Sequence, residues 1–159
     1  MKITVVCVGK IKEKYFTDAI AEYSKRLSKY CKLEIKEVQD EKTPDGIGEA
    51  AEEQIRKTEG ERILKTIPDG AYVILLAIRG KQLTSPELSE EIERLNVRGV
   101  NHIVFVIGGS LGTSAEVYSR ADLELSFSKM TFPHQLMRVV LLEQIYRSFR
   151  IRTGEPYHK

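Results

Sequence analysis

A chain of 159 residues with 42% apolar and 30% charged residues has the size for one domain with a real core and the composition of an ordinary globular protein. A single domain over residues 1–159 is expected. The opening Met1-Lys2 and the run Ile3–Val8 lack the apolar length and cleavage site of a secretory signal, and no apolar run approaches the ~20 residues that span a bilayer. The expectation is a cytoplasmic protein without a membrane segment. Cys7, Cys31 and the three scattered histidines have no metal-ligand spacing, so reduced thiols and no metal are expected.

The net charge of +2 is unevenly spread. Residues 129–159 carry six Lys/Arg against two Glu, a net of +4, which leaves 19 basic and 21 acidic residues, a net of −2, on the rest. A basic C-terminal segment suits an anionic partner such as nucleic acid. Arginines near the end of a helix, favoured by its dipole, account for the same pattern without a partner.

In chain order, Lys2–Gly9 alternates as a short buried strand, and Glu13–Tyr30 places Phe16, Ala19, Ile20, Tyr23, Leu27 and Tyr30 at helical spacing. Leu33–Val38 is a strand, Asp40–Gly48 a polar loop, and Glu49–Ile67 a charged, solvated covering helix. The apolar run Tyr72–Ile78 fits a strand covered on both faces, followed by a loop over Arg79–Gln82. A helix opens at Ser85-Pro86, with serine as cap and proline at the first position. His102–Ile107 is a second apolar strand, ending in Gly108-Gly109-Ser110-Leu111-Gly112; Thr113 and Glu116 make a capping box for a short helix. Leu123–Phe127 is the last strand. The closing helix starts near Pro133, where a missing N–H costs nothing, and runs to about Phe149.

That helix has apolar residues all round, with His134, Arg138, Glu143, Gln144 and Arg147 between them. A monomer's surface helix needs one apolar face, so this one is expected to pack on its own sheet and against a second subunit. The alternation of elements predicts an α/β fold, with a mostly parallel sheet and helices on both faces. Ligands of such sheets bind beyond the carboxyl ends of the strands. Here those ends are Leu76–Gly80, Gly108–Gly112 and Phe127–Phe132.

The glycine loop is neither a dinucleotide fingerprint nor a Walker loop, so phosphates are not predicted. It does match G-x-S-x-G around Ser110, with Asp122 and then His134 or His158 following in hydrolase order; a tight structural turn is the plainer alternative. Exposed backbone with Leu76, Leu111, Met130 and Phe132 would also hold an adenine edge, an amino-acid tail and the apolar parts of S-adenosylmethionine. Spacing permits that ligand without singling it out.

Gly108-Gly109-Ser110-x-Gly112, Ser126-Phe127-Ser128-x-Met130-Thr131-x-Pro133-His134, Arg138, Glu143-Gln144-x-Tyr146-Arg147 and Tyr157-His158-Lys159 resemble the RlmH family across the whole chain. Its members are bacterial methyltransferases acting on N3 of a pseudouridine in 23S ribosomal RNA. Pro86 and Ser148 depart from the family pattern outside the site. The resemblance implies a C-terminal trefoil knot of the SPOUT class, a homodimer, and S-adenosylmethionine held by Leu76, Gly108 and the loop Phe127, Ser128, Lys129, Met130, Thr131 and Phe132. It implies action on the assembled ribosome. His134 and His158 are alternative bases for the imide proton, Arg147 a contact to base or phosphate, and Tyr157 a stacking partner from a tail supplied by the other protomer. Arg147 also has a plain alternative, an ion pair with Glu143 four residues earlier. Two other classes stay open, a serine hydrolase using Ser110 and a non-enzymatic ribosome- or RNA-binding module.

Overall fold

The computed structural model describes all residues, Met1–Lys159. Five strands, β1 (Lys2–Val8), β2 (Lys32–Val38), β3 (Tyr72–Gln82), β4 (His102–Ile107) and β5 (Leu123–Ser126), alternate with five helices, α1 (Lys14–Leu27), α2 (Glu49–Leu64), α3 (Ser85–Val97), α4 (Ala115–Arg120) and α5 (His134–Arg152). The sheet order is β2-β1-β4-β3-β5, and every neighbouring pair is parallel. All five carboxyl ends therefore open on one edge.

The strands' side-chain alternation splits the core in two. Ile3, Val5, Cys7, Ile103, Phe105 and Ile107 point to one face and pack against Leu27 of α1, Leu88, Ile92 and Leu95 of α3, and Leu141, Leu142, Ile145 and Phe149 of α5. Val6, Val8, Val104, Val106, Val73 and Leu75 point to the other, against Ile63 of α2 and Val117 of α4. Helices cover both faces, as the continuous apolar runs of β1, β3 and β4 require.

Five local expectations shift. The segment expected as a loop at 79–82 belongs to β3: pairing with β5 breaks after Leu76↔Leu125 and resumes at Lys81↔Leu125 and Gln82↔Ser126. A bulge over Ala77–Gly80 absorbs the extra residues. A Cβ on Gly80 would lie 2.6 Å from the Glu124 carbonyl oxygen, so only glycine permits this approach. The cap of α3 is Thr84, one residue earlier than expected, in a reciprocal capping box with Glu87. The cap of α4 is Ser114, one residue later than Thr113, because the Ser114 hydroxyl is buried in the gap beside Gly60. Pro133 is itself the cap of α5, with extended backbone at ψ 136°, and the helix continues to Arg152. The covering helix α2 buries Ile63 on its apolar side and is less solvated than expected in that Glu59 and Gly60 are buried with it.

Arg138, 2% exposed, ties α5 to the sheet edge. Its guanidinium donates to the carbonyls of Val8 (3.0 Å) and Gly9 (2.7 Å) and to Glu37 Oε2 (2.7 Å). Replacing it by methionine keeps most of the apolar stem but leaves two carbonyls and a carboxylate without their donor. Urea unfolding of Arg138→Met is expected to show a loss of about 2–3 kcal/mol; a loss below about 0.5 kcal/mol would show that the clamp contributes nothing to stability.

Candidate active site

The three expected loops meet. Leu76, Gly108, Phe127, Ser128, Met130, Thr131 and Phe132 line one cleft of about 1250 Å³ at the carboxyl edge of β3, β4 and β5, together with His134. Of the residues expected on the cofactor, Lys129 and Leu111 are not in the wall; Lys129 is exposed and Leu111 half-buried. The bulge of β3 supplies Ala77, Ile78 and Arg79 to the same wall. The expected strand end Leu76–Gly80 includes them; periodicity does not show that β3 continues past them, because a bulge interrupts the period it would be read from.

The loop geometry is set by backbone contacts. Gly112 N–H donates to the Gly109 carbonyl at 3.0 Å, closing a tight turn that leaves Ser110 exposed at the tip. A Cβ on Gly109 would stand 2.7 Å from Glu59 Oε1, so α2 presses a carboxylate against the glycine loop. Glu59 is 4% exposed, and its other oxygen accepts the Glu41 N–H at 2.9 Å. Burial raises its pKa above the usual carboxylate value, partly offset by that backbone donor. After β5, Ser126 Oγ donates to the Ser128 carbonyl and the Met130 N–H donates to Ser128 Oγ, which curls the loop back toward α5. Met130 is 75% exposed and Phe132 36%, apolar surface on the cleft's rim.

The cleft contrasts with a phosphate site. Its walls are largely apolar side chains and backbone, with Arg79, Tyr118, Glu124 and His134 as the ionisable groups. His134 stands at the first position of α5 and also borders a smaller polar cleft with Lys10, Lys12, Glu37 and Asp40. Its Nδ1 is buried without a hydrogen-bond partner. Burial pushes the imidazole below its ordinary value of 6.5, Arg138 adds to the shift, and Asp40 opposes it. A ring held neutral at pH 7 keeps a lone pair free to accept a proton.

Arg147, Tyr157 and His158 form a separate group on the chain's own α5 and tail, outside the cleft wall. Arg147 Nε donates to Glu143 Oε1 at 2.7 Å, the plain alternative read from the sequence. The Tyr157 hydroxyl donates to Glu143 Oε2 at 2.7 Å, and Arg147 Nη1 lies 3.1 Å from His158 Nδ1.

The hydrolase alternative fails on geometry. Ser110 follows the carboxyl end of β4, whereas Asp122 precedes β5, and in an all-parallel sheet those positions are on opposite edges. Asp122 Oδ2 instead accepts the Val73 N–H at 2.8 Å and pairs with Arg120. His102, at the same amino edge, bonds Thr4 Oγ1 at 2.8 Å. No group of three His, Cys, Asp or Glu is arranged to hold a metal ion, and no helix is long and apolar enough to cross a membrane.

A parallel α/β sheet with a largely apolar cleft at its carboxyl edge and a long closing helix has the architecture of a ligand-binding α/β enzyme. Residues 1–158 match the family described as "Predicted SPOUT methyltransferase", and the chain belongs to that family. It is 63% identical over 159 residues, the full length of both chains, to the ribosomal RNA large subunit methyltransferase H of Bifidobacterium adolescentis. Proteins of the same name from Clostridium beijerinckii and Bifidobacterium animalis subsp. lactis are 60% and 58% identical, again over the full length of each.

The pH dependence of His134 follows from its surroundings. A depressed folded pKa means that the unfolded chain binds more protons between that value and about 6.5, so stability falls as pH drops through this window. An NMR titration of the imidazole should give a midpoint below 6.5, and a midpoint at or above it would remove the neutral-base reading.

Proposed function

We propose that the chain transfers a methyl group from S-adenosylmethionine to N3 of a pseudouridine in 23S ribosomal RNA, acting on the assembled ribosome as a homodimer. The observation that carries this reading is the single cleft in which Leu76, Gly108 and the 127–132 loop come together. Its walls fit adenosine and an aliphatic amino-acid tail, since exposed backbone can meet polar edges while Leu76, Ile107 and Met137 cover apolar parts. Its volume of about 1250 Å³ exceeds the roughly 300–1,000 Å³ of ordinary ligand pockets, which leaves room for a nucleobase beside the cofactor. The names of the full-length relatives support ribosomal RNA as substrate.

When bound, the cofactor would supply an electrophilic sulfonium methyl. The chain's own part is to hold an imide in line with it and to take the proton that leaves N3 as the N–C bond forms and the C–S bond breaks. His134 is the cleft's own base. His158 competes for that role only from a partner protomer, since in its own chain it stands beside Arg147; Tyr157 and Arg147 would reach the target from that partner in the same way. The dimer is supported by the half-buried Leu136, Val139 and Val140 on α5 and the exposed Met130 and Phe132, apolar surface that a second subunit would cover. The trefoil crossing belongs to the same proposal: the chain leaves edge strand β5 and returns to the end of β1, where Arg138 is clamped.

Labelled methyl transfer to ribosomes from cells lacking the modification, compared with free ribosomal RNA, tests the reading. Label is expected on ribosomes and near background on free RNA. Binding to ribosomes without transferred label would make the chain a non-enzymatic module and overturn the proposal.

A further inference from the structure

Chain termini fray unless something ties them down. Here the last residues after α5 are tied at two points. Glu155 accepts from the Tyr30 hydroxyl at 2.6 Å and pairs with Arg150, which fixes the turn. Beyond it, Tyr157 lies edge-on to Tyr146 with ring centroids 5.0 Å apart, and the Arg147 guanidinium sits 4.7 Å from the Tyr157 ring centroid. The only side-chain hydrogen bond that Tyr157 makes goes to Glu143.

Glu143 therefore serves two donors with one carboxylate, Arg147 on one oxygen and Tyr157 on the other, each at 2.7 Å. Its side chain is 19% exposed, so solvent screens these charge-assisted bonds only in part. The anion also acts on its neighbourhood: the Tyr157 hydroxyl is pushed above its ordinary value by burial and then by Glu143, and Tyr23 is pushed up to about 12 by the same causes in the same order.

We infer that Glu143 is a positioning residue, which sets Arg147 and the Tyr157-His158 tail in one fixed arrangement and so makes the tail a formed surface for the target nucleotide. The inference rests on the proposed function, in which these residues reach the RNA. No contact between Glu143 and substrate is required. An amide in its place carries no charge and only one acceptor oxygen, so it cannot accept from Arg147 on one oxygen and from Tyr157 on the other.

The test is Glu143→Gln in the full-length protein, with 3-fluorotyrosine incorporated. In the variant the fluorine resonance of residue 157 should move to the position of a free tail. kcat for labelled methyl transfer to ribosomes should fall about tenfold or more, the loss expected for one charge-assisted bond, while cofactor affinity stays within about twofold. Tyr157→Phe should also lower kcat, and the double variant should be no worse than Glu143→Gln alone, since the Tyr157 bond is one of the two that Glu143 makes. An unmoved fluorine signal, an unchanged kcat, or losses that multiply in the double variant would each overturn the inference. Should the wild-type chain transfer no label, the proposed function fails, and the fluorine signal alone decides whether Glu143 holds the tail.

Discussion

The placement of the site depends on one buried cation. Arg138 reaches from the second turn of α5 to the carbonyls that close β1, Val8 and Gly9, and to Glu37 at the end of β2. Those carbonyls lie at the sheet's carboxyl edge, where β1 ends. A guanidinium with several fixed donors satisfies them together, and a lysine could not do so in the same geometry. Because His134 opens the same helix, one turn before Arg138, the clamp also fixes where the imidazole stands relative to the sheet.

The remaining parts of the cleft hang from that frame. The chain must pass from edge strand β5 back to the end of β1, and the Ser128 turn with its two local hydrogen bonds directs it there along the mouth of β4 and β3. The bulge before Gly80 lets β3 run past its first pairing with β5 and carry Ala77 to Arg79 into the wall. From beneath, α2 brings Glu59 against Gly109, so a carboxylate buried at 4% exposure supports a loop with no side chains of its own at three of five positions. The charge of Arg138 also acts on the chemistry, since it helps to keep His134 neutral.

Much of this was legible in the sequence because it rests on short-range pattern. The apolar runs of β3 and β4 announced buried strands, Tyr72–Ile78 as one covered on both faces, and the three glycine- or serine-bearing segments at the strands' carboxyl ends announced the cleft's position. The features that were not legible depend on contacts between distant residues. Nothing local separates Arg79–Gln82 from a loop, because the bulge that keeps it in β3 is set by Glu124. Glu59 looked like one more acid on a charged helix, and only its burial against Gly109 distinguishes it. Arg138 reads as a polar residue on an apolar helix, and its partners lie 101 to 130 residues away. The shift of the α4 cap from Thr113 to Ser114 likewise follows from the space beside Gly60. The tail's docking onto Glu143 was anticipated only as an ion pair with Arg147, since a frayed end is the ordinary expectation for terminal residues.

The central claim is that the three strand-end loops act as one ligand-binding unit, and hydrogen exchange with and without S-adenosylmethionine tests it most directly. Slower amide exchange is predicted together in residues 76–80, 108–112 and 127–133, with β2 and the amino edge around His102 unchanged. Protection confined to one of these loops, or spread over other elements while the cleft exchanges as before, would contradict the account.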